Sequence, residues 1–357
     1  MESLFVPDWA PNIHPLIVHF PIAILVTAGL ANLISFFISK KWWDEAKNTI
    51  LYAFGGIAAI IAYYTGKAAA DTVFLESEAQ SVLTEHADWA LWLVWFFVLY
   101  AILRLAFHWF SLFEKRSFKF IAFITVLPGL FMIYETAEYG GKMVFGYGVG
   151  TGQLIQNDEP LSEQASSNRE NSGISSSFTK KGDGSWNWQI NETSVSDLVS
   201  NFHWIEGSVQ DLGPEVRQSR LELEAAEEPN FFVTHESSQN IQMDAYLNIE
   251  KLDGEIRLAH HVQDTQNYDF VSLNSNGTIY QGRIRDGETT LFEEGSFEPQ
   301  GTLYLRIVAD GTHFRGYIDR EMKVHGHGDA PAAGAVGIRL EGNGSVQIYS
   351  IELTPLN

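Results

Sequence analysis

Several histidines and carboxylates stand inside otherwise apolar stretches of the first 150 residues. An ionisable side chain is costly there and marks a functional site. In NIHPLIVHFPIAIL, residues 12–25, His14 precedes Pro15 and His19 lies two residues before Pro21. His86 opens a later apolar run within LTEHADWA, and Glu135, Glu138, Lys142 and Tyr147 cluster at the end of the last one. Two imidazoles on different helices, facing each other across a bundle, can hold a haem iron from both sides. His19 and His86 are the expected axial pair, because His19 sits within its helix whereas His14 reads as an N-terminal cap. His14, Glu135, Glu138 and Tyr147 would surround that site. Pro21 has no N–H for the Ile17 carbonyl, so a kink is expected beside His19. Glu138 and Lys142 have the spacing of an ordinary helical ion pair. Arg104 and His108 fall toward the opposite end of the bundle, where a long side chain can snorkel.

The second half offers other chemistry. His325, His327 and Asp329 in HGHGD have spacing compatible with a metal site, as does His260-His261 with more strain. Gly326 and Gly328 favour instead a flexible polar loop. Asp319 and Glu321 alternate along one strand, and a retaining glycosidase needs two carboxylates about 5 Å apart; in so acidic a segment such a pair also arises by chance.

These residues are positioned by two unlike halves. Four apolar stretches, roughly 13–38, 50–70, 87–110 and 118–140, have the length of bilayer crossings. The first is too long and too poor in N-terminal positive charge for a cleaved signal peptide. Lys40, Lys41 and Lys47 follow the first stretch, and Lys115, Arg116 and Lys119 follow the third, so both loops are expected in the cytoplasm. The N-terminus and everything after the fourth stretch then face outward, which in a bacterium is the periplasmic side of the inner (cytoplasmic) membrane. Residues 151–183 are Ser/Asn/Gly-rich without periodicity and read as a linker. From 184 to 357, short alternating runs such as SRLELEA, GEIRLAHHV and YDFVSLNS, separated by Asn-Gly and Asp-Gly turns, predict an all-β sandwich. The fold class is thus a multidomain membrane protein, a four-transmembrane-helix bundle (1–150) plus a C-terminal jelly roll.

Composition narrows the chemistry. The 357 residues carry a net charge of −21, of which residues 1–150 hold 12 acids against 9 bases and the remainder 32 against 14. A half this acidic repels nucleic acid. With no cysteine, disulfides, thiolate metal sites and thioether-linked haem are excluded, while haem b held by histidine is not.

Two resemblances follow from these motifs. The histidine-proline segment, GGIAAIIAYYTGKAAAD, LTEHADWA and the closing GGKMVFGYGVG occur in the order found in the four-helix membrane family called DUF2231, over about residues 10–150. That resemblance implies a small membrane bundle; where the family's last motif has a histidine, this chain has Tyr147. Residues 301–353, with their Y-I-D strand, their G-x-V-G-I-like AVGI strand and a final edge strand, resemble laminin-G or concanavalin-like jelly rolls, a group that includes sugar binders, protein binders and hydrolases. The first expectation is a b-type haem electron-transfer or respiratory-complex subunit, whose β domain docks a periplasmic partner such as a cytochrome, or a glycan. The alternative is a cofactor-free anchor or scaffold presenting a glycan- or protein-binding jelly roll. A proton or metal-ion pathway is a third reading, against which stand the apolar cytoplasmic ends of helices two and four.

Overall fold

The computed structural model describes residues 12–35, 43–150 and 176–356. They divide into two compact units, one helical and one built mainly of β-strands that also takes in residues 76–81.

The helical unit contains α1 (His14–Ile17), α2 (His19–Ser35), α3 (Glu45–Ala70), α4 (Ser77–Trp109) and α5 (Arg116–Gly141), the last followed by a π-turn at Lys142–Gly146. The break between α1 and α2 falls at Val18, as expected where Pro21 cannot donate to Ile17. Asp44 caps α3 by accepting the Lys47 N–H at 3.0 Å. Counting α1 and α2 as one crossing, four spans are long and apolar enough to cross a bilayer, from His14–Ile34 at 21 residues to Ser77–Trp109 at 33. Leu25, Tyr52, Ala59, Phe97, Tyr100 and Val126 pack inside, while Phe20, Ile57, Trp92, Trp95 and Trp109 point outward. In water that apolar exterior would be a liability, and in lipid it is the normal surface of a bundle. Gly55 and Gly129 bring the helices close, since a Cβ at either would collide with Leu25 or Phe96.

Arg104 does not snorkel. It is fully buried, bonded to the Glu45 carboxylate at 2.7 Å, to Thr49 Oγ1 at 3.2 Å and to the Tyr100 hydroxyl at 3.1 Å. Glu45 opens α3 and lies 59 positions away, so no spacing rule along one helix points to it.

The β unit begins with β1 (Phe178–Lys180), β2 (Trp186–Gln189), β3 (Phe202–Glu206), β4 (Glu215–Arg217) and β5 (Arg220–Glu224). Next come β6 (Asn230–Thr234), β7 (Ile241–Asn248), β8 (Leu252–Asp264), β9 (Asn267–Asn274) and β10 (Thr278–Arg285). It closes with β11 (Glu288–Ser296), β12 (Leu303–Asp310), β13 (His313–Ile318), β14 (Glu321–His327) and β15 (Ala335–Pro355). All the pairings are antiparallel.

One sheet runs β11-β10-β9-β8-β15-β6-β3, and the other runs β14-β13-β12-β7-β15 with β2 and β5 beyond. The 21-residue β15 belongs to both sheets: residues 337–344 pair with β6 and β8, residues 345–355 with β7, β5 and β2. The final strand is therefore the spine of the sandwich rather than the edge strand expected from its sequence. It bends at Gly342 and Gly344, with φ of +130° and +86°; a Cβ at Gly344 would overlap the Lys251 carbonyl. Between the sheets Trp188, Leu258, Val271, Leu273, Leu305, Ile307, Ile338 and Ile348 form the main core.

Of the expected linker, residues 151–175 lie outside the described residues, but its last part belongs to the sandwich. Phe178 is buried, and β1 pairs with β2 in the register Phe178↔Trp188. Three residues are too few to show a period, which is why the strand escapes a reading of pattern alone.

Candidate functional site

In the helical unit, the ring that meets His86 is that of His14, not His19. The centroids are 6.3 Å apart and the planes stand at 78°. Five residues separate the two N-terminal histidines, about 140° around a helix, so only one of them can face the bundle; His19 is exposed on the outer side. His14 Nδ1 lies 3.1 Å from the Ala62 carbonyl oxygen and 3.3 Å from Thr65 Oγ1, and its backbone N–H is taken by Asn12 Oδ1. His86 Nδ1 lies 2.9 Å from the Thr136 carbonyl oxygen. A carbonyl can only accept, so each Nδ1 carries the proton and each Nε2 keeps a lone pair. This arrangement, with one ring nitrogen bonded to backbone and the other able to ligate, is that of metal-binding histidines. Glycines make the room: a Cβ at Gly66 would stand 2.9 Å from His14 Cε1, and one at Gly140 would stand 3.2 Å from His86 Cε1.

The other expected residues are less closely drawn in. Glu138 pairs with Lys142 at 3.0 Å as its spacing predicts, Glu135 is half-buried on α5, and Tyr147 is exposed just beyond the π-turn. Thr65 and the two carbonyls were not legible beforehand, because backbone acceptors leave no mark in sequence.

In the β unit, the first sheet carries a second, smaller core on its other face. Along β9, Tyr268 and Phe270 turn toward Phe231, Val233 and Ile284, while Val271 and Leu273 turn into the sandwich. On this outer face the register sets Phe231, Arg339, Arg257, Ser272 and Tyr280 in one row across five strands. Arg257 lies 4.7 Å over the Phe270 ring, held by Glu255 at 2.8 and 3.1 Å and by the Tyr268 hydroxyl at 3.0 Å. Beside it Arg339 pairs with Glu341 at 2.6 Å and approaches Glu206 at 3.7 Å. Glu341 and Glu206 are the open members, at 42% and 40% exposure, against 19% for Arg257.

Two histidine groups occupy other positions. His260, His261 and Asp269 are buried together. Their polar atoms are already committed: Asp269 to Arg283 at 2.5 and 2.8 Å, His261 Nε2 to the Gln239 carbonyl at 2.6 Å, and His260 Nδ1 to His261 Nδ1 at 2.7 Å. Burial pushes both imidazoles below their ordinary range. The strain expected of the adjacent pair is present, with His261 at φ +52° on a bulge of β8.

His325 and His327 lie on β14, in a strand and not in a flexible loop. Gly326 is a packing residue, since a Cβ there would come within 2.6 Å of Phe292 Cβ. The third member beside them is His313 of β13, not the exposed Asp329, whose carbonyl accepts from Arg283. Asp319 and Glu321 do not form a carboxylate pair. Asp319 sits in the β13–β14 turn at φ +50° and accepts the Tyr304 N–H, and Glu321 binds Lys323 at 2.7 Å.

Fold and sequence together define a membrane protein with a four-helix bundle and an antiparallel two-sheet β-sandwich. Residues 10–153 match the family described as "Predicted membrane protein (DUF2231)". No curated protein is similar enough to match the chain. Solved structures similar to the β half include a carbohydrate-binding module, CBM66, from Bacillus subtilis, at 13% identity over 42% of this chain and 94% of that one, TM-score 0.36. A Bacillus licheniformis beta-glucanase is 9% identical over 49% of this chain and 99% of its own, TM-score 0.39. A Bacillus subtilis protein of unknown function with a galectin-like fold is 10% identical over 49% and 97%, TM-score 0.37.

Proposed function

We propose that the helical bundle anchors the chain in the bilayer and that the β domain binds a glycan on the outer face of its first sheet, on the outward side of a bacterial inner membrane. The row of Phe231, Arg339 and Arg257, with Arg257 over Phe270, carries this reading. Guanidinium and carboxylate groups alternate there, giving fixed donors and acceptors with little net charge above an aromatic floor. Such a surface suits sugar hydroxyls better than a phosphate or a nucleic acid. A glycan array probed with the detergent-solubilised full chain tests it. Binding to at least one polysaccharide is expected, falling at least tenfold in Arg339→Ala and Glu341→Ala with the thermal midpoint retained. A well-folded protein that binds no glycan on the array sinks the reading. Orientation is tested separately by impermeant thiol labelling of Ser296→Cys in intact cells, which the absence of native cysteine makes unambiguous.

The helical unit supports a second reading, a b-type haem subunit exchanging electrons with a partner such as a cytochrome, because His14 and His86 face each other with both Nδ1 protons fixed. These two rings would hold the iron, and the haem itself would supply the redox chemistry. In a dithionite-reduced minus oxidised spectrum, a b-type signal should vanish in His14→Ala and in His86→Ala and persist in His19→Ala. No haem in a folded, haem-supplied preparation eliminates this reading and leaves the anchor.

A further inference from the structure

We propose that His313, His325 and His327 form a site for one divalent transition-metal ion of the zinc type, built on the β13–β14 hairpin and separate from the glycan face. Three independent features of the hairpin converge on it.

The first is register. Asp319 and Arg320, at φ +50° and +67°, make the two-residue turn that matches strand twist, and a bulge between Gly316 and Tyr317 then places His313 opposite His327 and Arg315 opposite His325. His325 and His327 are two apart on one strand, so all three imidazoles share one face. Their ring centroids are 4.8 Å (His313–His327), 4.7 Å (His325–His327) and 6.4 Å (His313–His325) apart.

The second is rigidity. The face opposite the histidines is locked into the core, because Gly326 leaves no space between the strand and Phe292 or Gln281 Oε1. The Gly326 N–H donates to that same Gln281 oxygen at 2.7 Å, and the His325 N–H donates to the Glu293 carboxylate on β11. The turn is tied to β12 twice, by Asp319 N–H to the Tyr304 carbonyl at 2.8 Å and by Tyr304 N–H to Asp319 Oδ1 at 3.0 Å. The imidazoles are thus displayed on a backbone that cannot roll them away from one another.

The third is donor chemistry. One nitrogen from each ring lies within 4.8 Å of the others. Tetrahedral zinc holds imidazole nitrogens at about 2.0–2.1 Å, hence about 3.3 Å from one another. Three imidazole ligands disfavour calcium and magnesium, which take oxygen ligands, and select zinc or its late first-row neighbours. A fourth ligand would be water or an anionic group, and Arg315, paired with His325 on the same face, stands beside the site.

The test is isothermal titration of the chelator-treated full chain in detergent with Zn2+, with Co2+ as an optical probe. One equivalent should bind at these three residues, with a tetrahedral Co2+ spectrum. Affinity should fall at least 100-fold in each of His313→Asn, His325→Asn and His327→Asn, and remain unchanged in His203→Asn. Zinc should also raise the β-unit melting midpoint of the wild type and leave that of His327→Asn unmoved. His327 is exposed, so its variant folds and decides the matter if either of the other two does not. A folded wild type that binds no zinc, or zinc binding that survives all three substitutions, overturns the proposal.

Discussion

The helical and β halves each bring histidine rings into contact, and they do it by opposite routes. His14 and His86 come from α1 and α4, and their Nδ1 protons are held by carbonyls of α3 and α5. Every crossing of the bundle contributes, so the pair is a product of tertiary packing. His313, His325 and His327 come from a single hairpin and owe their meeting to one turn, one bulge and a period of two. A small shift of any helix disperses the first group, whereas the second persists as long as β13 and β14 stay paired.

That contrast can be broken hardest on the helical side. Glu45→Ala leaves the Arg104 guanidinium buried without its carboxylate and should cost about 3–5 kcal/mol, read as a collapse of the thermal midpoint in detergent. Glu45→Ala combined with Arg104→Met should recover most of the loss, because the uncompensated charge is gone; a double variant as unstable as the single one would show that the arginine's packing, not its charge, holds α3 to α4.

A smaller effect sharpens the β side. His260 and His261 are kept neutral by burial, against ordinary imidazole values near about 6.5. Asp269 favours the charge on His261 and Arg283 opposes it on both, while Phe314 lies against His260 and the Gln239 carbonyl accepts a hydrogen bond from His261 Nε2. Below that pH the unfolded chain takes up protons that the folded chain refuses, so stability is full above about pH 7 and falls as the pH drops toward the depressed folded-state values. Denaturant melts between pH 7.5 and 5, on the order of one protein's usual working range, should show that slope, and it should be shallower in His260→Gln. The smallest effect is Lys142→Ala, which removes an exposed helical ion pair and should leave the midpoint unchanged within error.

The four crossings, the β class of the second half and the Glu138–Lys142 pair were all legible in sequence, because length, alternation and i,i+4 spacing are local properties. The partner of His86 was not. Choosing between His14 and His19 requires the direction α1 presents to the bundle, and proximity to a helix end proved a poor guide beside the 140° that separates them. His313 was not legible: counting outward from an Asp319-Arg320 turn sets it opposite Gly326, and only the bulge between Gly316 and Tyr317, which leaves no mark in the sequence, brings it to His327. The role of β15 was hidden for another reason, since a strand pairing on both sides in two sheets has no pattern of its own beyond the glycines at its bend.

Because β15 is the last strand and also the seam of both sheets, the order in which the chain is made limits when this domain can form. All fourteen of the other strands can be synthesised, and hairpins such as β9–β10 or β13–β14 can pair, yet neither sheet is complete until residues 335–355 arrive. Until then the two half-sheets expose apolar faces that no local contact covers, the condition in which nascent domains aggregate. A chain shortened by this one segment loses the join between the layers rather than an edge, so cells should retain no partly functional sandwich from such a product.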